Sequence, residues 1–172
     1  MKKESGFTLI ELLVTVAIAG LVMAFAIPAM GTFVKNERLT TQINTLVGHL
    51  AYARSEAVLR RQQVILCASS NMTSCQGTNW AAGWILFIDA DNSSDFTAGE
   101  EILRVKQALS GGNTLVSSTG SSFIYDNRGF SPNSNGTFSL CDDRGASDPN
   151  YVKSISISNT GRVRRGGSAS CT

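Results

Sequence analysis

The stretch that decides the fold opens the chain: Met1-Lys-Lys-Glu-Ser-Gly-Phe-Thr-Leu-Ile-Glu-Leu-Leu13, running on without charge to Met30. Leu12 to Met30 are 19 consecutive uncharged residues, close to the roughly 20 that a helix needs to span a bilayer. Lys2 and Lys3 precede the run, so they are expected on the cytoplasmic side, with the C-terminal bulk crossing. A secretory signal peptide would have a shorter apolar core followed by a small-x-small cleavage site, and this run fits neither requirement. A plain membrane anchor leaves Glu11 unexplained. A carboxylate inside an apolar segment is costly and is usually kept for a function.

Working outward, helical periodicity continues past the apolar run. Ile43, Leu46, Val47, Leu50, Ala53, Ala57 and Val58 follow i, i+3, i+4, i+7 spacing and predict one apolar face. Arg54, Arg60 and Arg61 lie mostly off it. Pro28 is expected to kink or locally melt the helix, because proline lacks a donor and clashes with the preceding turn. From Gln63 the pattern changes to short strands between turn residues. The candidates are Val64–Ala68, Trp84–Ile88, Ile102–Leu109, Phe123–Tyr125, Thr137–Leu140 and Val152–Ser158. In the last, Ile155 and Ile157 alternate with Ser154, Ser156 and Ser158, as in a half-buried antiparallel strand. Gly111-Gly112, Asn127-Arg-Gly129 and Asn135-Gly136 read as turns. The predicted fold is α+β: a long N-terminal helix, transmembrane in its first half and amphipathic in its second, packed on a small antiparallel β-rich head.

Lys2 to Leu13 resembles a type IV prepilin signal. That resemblance implies a leader at 1–6, cleavage between Gly6 and Phe7 by a prepilin peptidase, and N-methylation of Phe7. Glu11 would become the fifth mature residue and pair with the amine of a neighbouring subunit. Such pairing is physically reasonable, since a buried carboxylate needs a partner and rewards correct register. The remaining divisions follow as a transmembrane and assembly helix at 7–34, its amphipathic continuation at 35–62, and a periplasmic head at 63–172. The segments Ala53-Arg-Ser-Glu-Ala-Val-Leu-Arg60, Val64–Cys67 and Trp80-Ala-Ala-Gly-Trp-Ile-Leu-Phe-Ile-Asp89 resemble the FimT/GspH family of minor pilins and type II secretion pseudopilins. The family implies residence in the inner membrane, incorporation into a type IV pilus at the cell surface, and other major and minor pilins as partners.

The four cysteines, Cys67, Cys75, Cys141 and Cys171, lie beyond the apolar segment and form an even set without a C-x-x-C pair. This fits an exported head in which disulfides persist, and it argues against a zinc or redox site. Three pairings are possible. The favoured one joins Cys67 to Cys75 across a short loop and Cys141 to Cys171, tying down the C-terminal tail. Asp89 to Glu100 carries Asp89, Asp91, Ser93, Asp95 and Glu100 near the ligand places of an EF-hand loop. Ser94, however, stands where a glycine permits the sharp turn, and strand-like segments flank the loop. A solvated acidic hairpin is therefore preferred to a calcium site, and no cofactor is expected.

The net charge of +2 does not mark a nucleic-acid binder, but its distribution is informative. No acidic residue follows Asp148, whereas Lys153, Arg162, Arg164 and Arg165 do. In an extended segment Arg162 and Arg164 point to one side. Flanking glycines let backbone approach a phosphate, and guanidinium groups suit bidentate contact with it. No recognition helix is evident and no aromatic residue interleaves the arginines in sequence, so base readout is not expected. The alternative is a solubilising tail. Gly161-Arg162-x-Arg164 is similar to the tail motif of FimT-type minor pilins, which implies non-specific binding of double-stranded DNA for natural transformation at Gly161, Arg162, Arg164, Arg165 and Lys153. The competing reading is a structural minor pilin or secretion pseudopilin that primes filament assembly. Catalysis is not expected: His49, the sole histidine, sits within the amphipathic helix, where a lone histidine is more often a packing or surface residue than a base, and the cysteines are better explained as staples.

Overall fold

The computed structural model describes residues 6–132, 134–144, 151–167 and 171. The chain divides into two units, Met1–Glu37 and Arg38–Thr172. Helix α1, Leu9–Arg60, runs through both. Its start follows from Thr8-Leu-Ile-Glu11, which has the form of a capping box. The Thr8 hydroxyl accepts a hydrogen bond from the Glu11 backbone N–H at 3.3 Å. In the first unit no described residue is buried. Leu9, Leu12, Val16, Leu21 and Phe25 are all exposed, and the helix is long and apolar enough to cross a membrane. Pro28 lies inside α1 without ending it. The local melting expected there is absent, since the missing N–H costs one bond in a helix that continues on both sides.

The second unit carries all the buried residues described in the chain, beginning at Leu39, so it contains its own core. Eight strands follow α1: β1 Gln63–Ala68, β2 Gly83–Asp89, β3 Ile102–Gln107, β4 Thr114–Ser117, β5 Ser122–Tyr125, β6 Gly136–Cys141, β7 Val152–Ile157 and β8 Val163–Arg165. They form two antiparallel four-stranded sheets, ordered β3-β2-β1-β5 and β4-β6-β7-β8. Strands β4 and β8 are not among the sequence candidates; β8, at three residues, is too short to show alternation. Gly136 opens β6 rather than closing a turn.

One core joins α1 to both sheets. Leu39, Ile43, Leu46, Leu50, Ala53 and Ala57 meet Val64, Leu66, Trp84, Leu86, Phe123, Phe138, Leu140, Ile155 and Ile157. The predicted stripe is therefore the buried face, with Val58 at its exposed end. Trp80 links the sheets, edge-on to Phe138 at 4.9 Å, while its indole N–H donates to the Gly120 carbonyl at 2.8 Å. The opposite face of β1 and β2 forms a second core of Ile65, Cys67, Ile85 and Phe87, against which Met72, Cys75 and Phe96 pack. Burial on both faces explains why these two strands read as unbroken apolar runs instead of alternating. A disulfide joins Cys67 to Cys75, and another joins Cys141 to Cys171.

Candidate functional site

The basic residues of the tail lie on the hairpin formed by β7 and β8. Its turn is tight: the Gly161 N–H donates to the Ser158 carbonyl at 2.8 Å, and the Ser158 N–H donates to the Arg162 carbonyl at 3.1 Å. Gly161 makes this turn at φ +71°. A Cβ there would lie 2.2 Å from the Gly129 carbonyl oxygen and 2.9 Å from Tyr125 Cε1. Gly161 is accordingly buried. Its carbonyl accepts from the Tyr125 hydroxyl at 3.3 Å and from Arg54 Nη1 at 3.4 Å. Burial pushes the Tyr125 pKa well above its ordinary value, so the hydroxyl stays a donor. Gly161, expected to offer backbone to a phosphate, is packed between two turns.

The four cations divide by strand parity. Register pairs Arg164 with Ser156 and Arg165 with Ile155 in the β7–β8 ladder, and Lys153 with Leu140 in the β6–β7 ladder. Ile155 and Leu140 are core residues, so Arg165 and Lys153 stand on the helix-facing side. Arg162 and Arg164 stand on the opposite side, both exposed. The alternation that turns Ile155 and Ile157 inward also puts Lys153 on their side of the strand, where it stays exposed, a signal already present in the sequence. Lys153 and Arg165 flank a groove of about 330 Å³ whose apolar lining includes Ile43, Val47, Val152 and Ile155. Arg165 Nη2 donates to Asn44 Oδ1 of α1 at 2.8 Å. Among the described residues, none of these four cations has a carboxylate partner. Arg60, by contrast, pairs with Glu56 and Glu101, and Arg128 pairs with Asp126.

The fold adds three residues that the tail motif does not include. Arg54 packs against Gly129 as well as bonding to Gly161. Arg128, at the tip of the turn predicted from Asn127 to Gly129, lies over the Phe130 ring with 5.4 Å to its centroid. Phe130 itself is 42% exposed. This turn locks onto the hairpin turn, for the Ser131 N–H donates to the Asn159 carbonyl at 2.9 Å and Ser131 Oγ to the Ser158 carbonyl at 3.1 Å.

The acidic loop brings together Asp89, Asp91 and Glu100, whose carboxylate oxygens lie within 4.8 Å of one another. Asp95 is not in this group. Asp89 is 1% exposed and accepts from the Ser93 and Ser94 backbone N–H groups at 3.1 and 3.0 Å and from Gln63 at 2.9 Å. Glu100 accepts from the Ala90 and Thr97 N–H groups at 2.8 and 3.0 Å. Burial holds the Asp89 carboxyl above its ordinary pKa, whereas hydrogen bonds from Ser93 hold Asp91 below it. The loop thus closes on its own backbone, and it seats Phe96 edge-on against Phe87 at 5.2 Å. At the other end of the chain, Gly6, Phe7 and Glu11 are exposed, the first two ahead of α1 and the third in its first turn.

Comparison with known proteins agrees with this architecture. Residues 1–27 match the prokaryotic N-terminal methylation motif, and residues 42–161 match the family described as Type II transport protein GspH. Two curated fimbrial proteins of Pseudomonas aeruginosa are each 34% identical over 73 residues, 42% of this chain. The matched region spans about half the length of these relatives, 47%. The type IV minor pilin FimU of Pseudomonas aeruginosa superposes with a TM-score of 0.61 at 22% identity, covering 78% of this chain and 92% of that one. The minor pseudopilin EpsH of the Vibrio cholerae type 2 secretion system gives 0.53 at 11% identity, covering 74% and 95%. Together with the methylation motif and the helix-on-two-sheets architecture, the match over residues 42–161 establishes that the chain belongs to the GspH family and has the type IV minor pilin and pseudopilin fold.

Proposed function

We propose that this chain is a minor type IV pilin that binds extracellular double-stranded DNA without sequence preference, for uptake in natural transformation. The observation that carries the reading is the pair Arg162 and Arg164, exposed on one side of an edge hairpin with no carboxylate partner among the described residues. Free guanidinium groups two residues apart along a strand suit successive backbone phosphates. Lys153 and Arg165, on the helix-facing side, add to the local positive potential and steer the polyanion. In this reading a peptidase cuts between Gly6 and Phe7, Phe7 is methylated, and Glu11 pairs with a neighbouring subunit's amine. The helix holds the protein in the inner membrane until it enters a filament with other pilins. Two phosphate contacts give little free energy alone, so several subunits along one filament supply avidity.

The test is titration of the soluble part from Asn36 onward with duplex DNA across a salt series. Weak, salt-sensitive binding is expected. Arg162→Gln and Arg164→Gln each weaken it and flatten the dependence of log K on log salt by about one unit per lost contact. Absence of binding at low salt, or binding unchanged in the double variant, overturns the reading. A second reading then stands, that of a structural minor pilin or secretion pseudopilin priming filament assembly. It is favoured by the Arg165–Asn44 bond, which gives one of the tail's cations a partner within the head.

A further inference from the structure

We infer that the candidate DNA surface also takes an unpaired base, stacked on Phe130. The inference rests on the DNA-binding reading above and names a substrate form that the arginines alone do not select. In sequence, no aromatic residue interleaves Arg162 and Arg164. In the fold, the locking of two turns brings the backbone beside Phe130 against the turn that leads into Arg162. Residues 126–130 form a closed turn, in which the Asp126 N–H donates to the Phe130 carbonyl at 2.8 Å and the Gly129 N–H donates to the Asp126 carbonyl at 2.9 Å. The Asp126 side chain fixes it further, accepting from the Arg128 and Phe130 N–H groups, each at 2.9 Å. The bonds from Ser131 to Asn159 and Ser158 then fasten this turn to the one that leads into Arg162. Gly129 and Gly161 meet at the seam.

Phe130 is therefore held on a rigid backbone, yet 42% of it is open to solvent. A single exposed apolar residue is ordinary on a folded domain and by itself indicates nothing. What distinguishes this ring is its company. Arg162, without a carboxylate partner among the described residues, leaves the adjacent turn, while Arg128, itself paired with Asp126, lies over the ring at 5.4 Å and Arg54 packs at the same seam. An aromatic platform bordered by guanidinium groups is the arrangement by which proteins hold single strands: backbone phosphates go to the cations and a base lies on the ring. A duplex presents no free base face and gains nothing from Phe130. Single-stranded DNA, or the frayed end of a duplex, does.

The experiment compares a labelled single-stranded oligonucleotide with the duplex of equal length by fluorescence anisotropy at low salt, on the soluble part from Asn36. Phe130→Leu keeps apolar packing but removes the ring, and it is expected to weaken single-strand binding about five-fold or more while leaving duplex binding unchanged. Arg162→Gln is expected to weaken both. Phe130→Trp supplies a direct signature. Trp80 and Trp84 are fully buried, so quenching of the new exposed indole by the single strand, and not by the duplex, reports stacking. Melting temperatures of the variants check that folding is intact. Equal loss for both DNA forms, no loss for the single strand, or an unquenched indole overturns the stacking inference while leaving duplex binding in place. A change confined to association between pilin subunits overturns it in favour of a protein contact. Failure of either DNA form to bind removes the parent reading, and this one with it.

Discussion

Gly161→Ala tests the central structural assignment, that this glycine serves packing and not the ligand. An alanine at φ +71° carries the left-handed penalty of about 1–2 kcal/mol. Its Cβ would also lie 2.2 Å from the Gly129 oxygen, a distance that neither backbone can tolerate, so the two turns must separate. Separation pulls the Gly161 carbonyl from the Tyr125 hydroxyl, now 3.3 Å away. Tyr125 is 1% exposed, and leaving its hydroxyl without an acceptor costs about 1–3 kcal/mol. The expected total is about 2–5 kcal/mol, or a fall in melting temperature on the order of 10 °C for a unit of this size. The matched control is Gly166→Ala. Gly166 lies at φ +88°, and a methyl group there would meet nothing within 4 Å, so only the backbone penalty of about 1–2 kcal/mol applies. Urea denaturation of both variants with disulfides intact gives the comparison. If Gly161→Ala costs no more than Gly166→Ala, the seam between the turns is not a stabilising contact and the reasoning fails.

Two further outcomes follow from the core. Trp84 Nε1 donates to His49 Nδ1 at 3.0 Å, and a protonated imidazole cannot accept that bond. Burial first, then the Arg104 and Lys106 charges on β3, hold the His49 pKa below its ordinary value. A depressed folded-state pKa means that this stabilisation is complete above about pH 6.5, the unfolded value, and is lost as pH falls through the folded one. Melting curves should therefore show wild type losing stability relative to His49→Gln as pH falls below about 6.5, and parallel curves would contradict this. The disulfides should rank by loop length. Removing Cys141–Cys171, separation 30, should cost about 3–4 kcal/mol, and removing Cys67–Cys75, separation 8, about 2–3 kcal/mol. Double alanine variants in urea measure both. The reverse order would show that the short loop's cover over Phe87 outweighs chain entropy.

What the sequence makes legible is what is encoded locally. The N-terminal signal is contiguous, and the helical stripe repeats over several turns, so Leu46, Leu50, Ala53 and Ala57 can be assigned inward, where they are found. The alternation in β7 is legible for the same reason. Strand β8 is not, because three residues carry no period, and its existence depends on pairing with β7. Phe130 and Arg54 cannot be placed beside the basic tail at all. Their proximity arises from two turns interlocking across the sheets, through hydrogen bonds between residues far apart in sequence. Lys153 is the instructive middle case: its parity with Ile155 is present in the sequence, but its charge groups it with the arginines, and geometry separates them.

These distinctions bear on what the Gly-Arg-x-Arg pattern can be taken to mean. Its glycine answers to φ +71° and to the Gly129 oxygen, requirements of the fold that hold whether or not DNA is ever bound. Its arginines answer to nothing described within the head, since neither Arg162 nor Arg164 has a side-chain partner among the described residues that would hold it in place. A secretion pseudopilin built on the same two sheets would need the glycine to close the hairpin and would have no use for the arginines. The glycine therefore carries no weight in choosing between DNA capture and filament priming, and the two guanidinium groups carry nearly all of it. Substituting them removes the proposed function at little structural cost, because both are exposed and surface changes away from packed features usually move stability by less than about 0.5 kcal/mol. A double variant that melts like wild type but no longer binds duplex DNA would separate function from fold at adjacent residues of one hairpin.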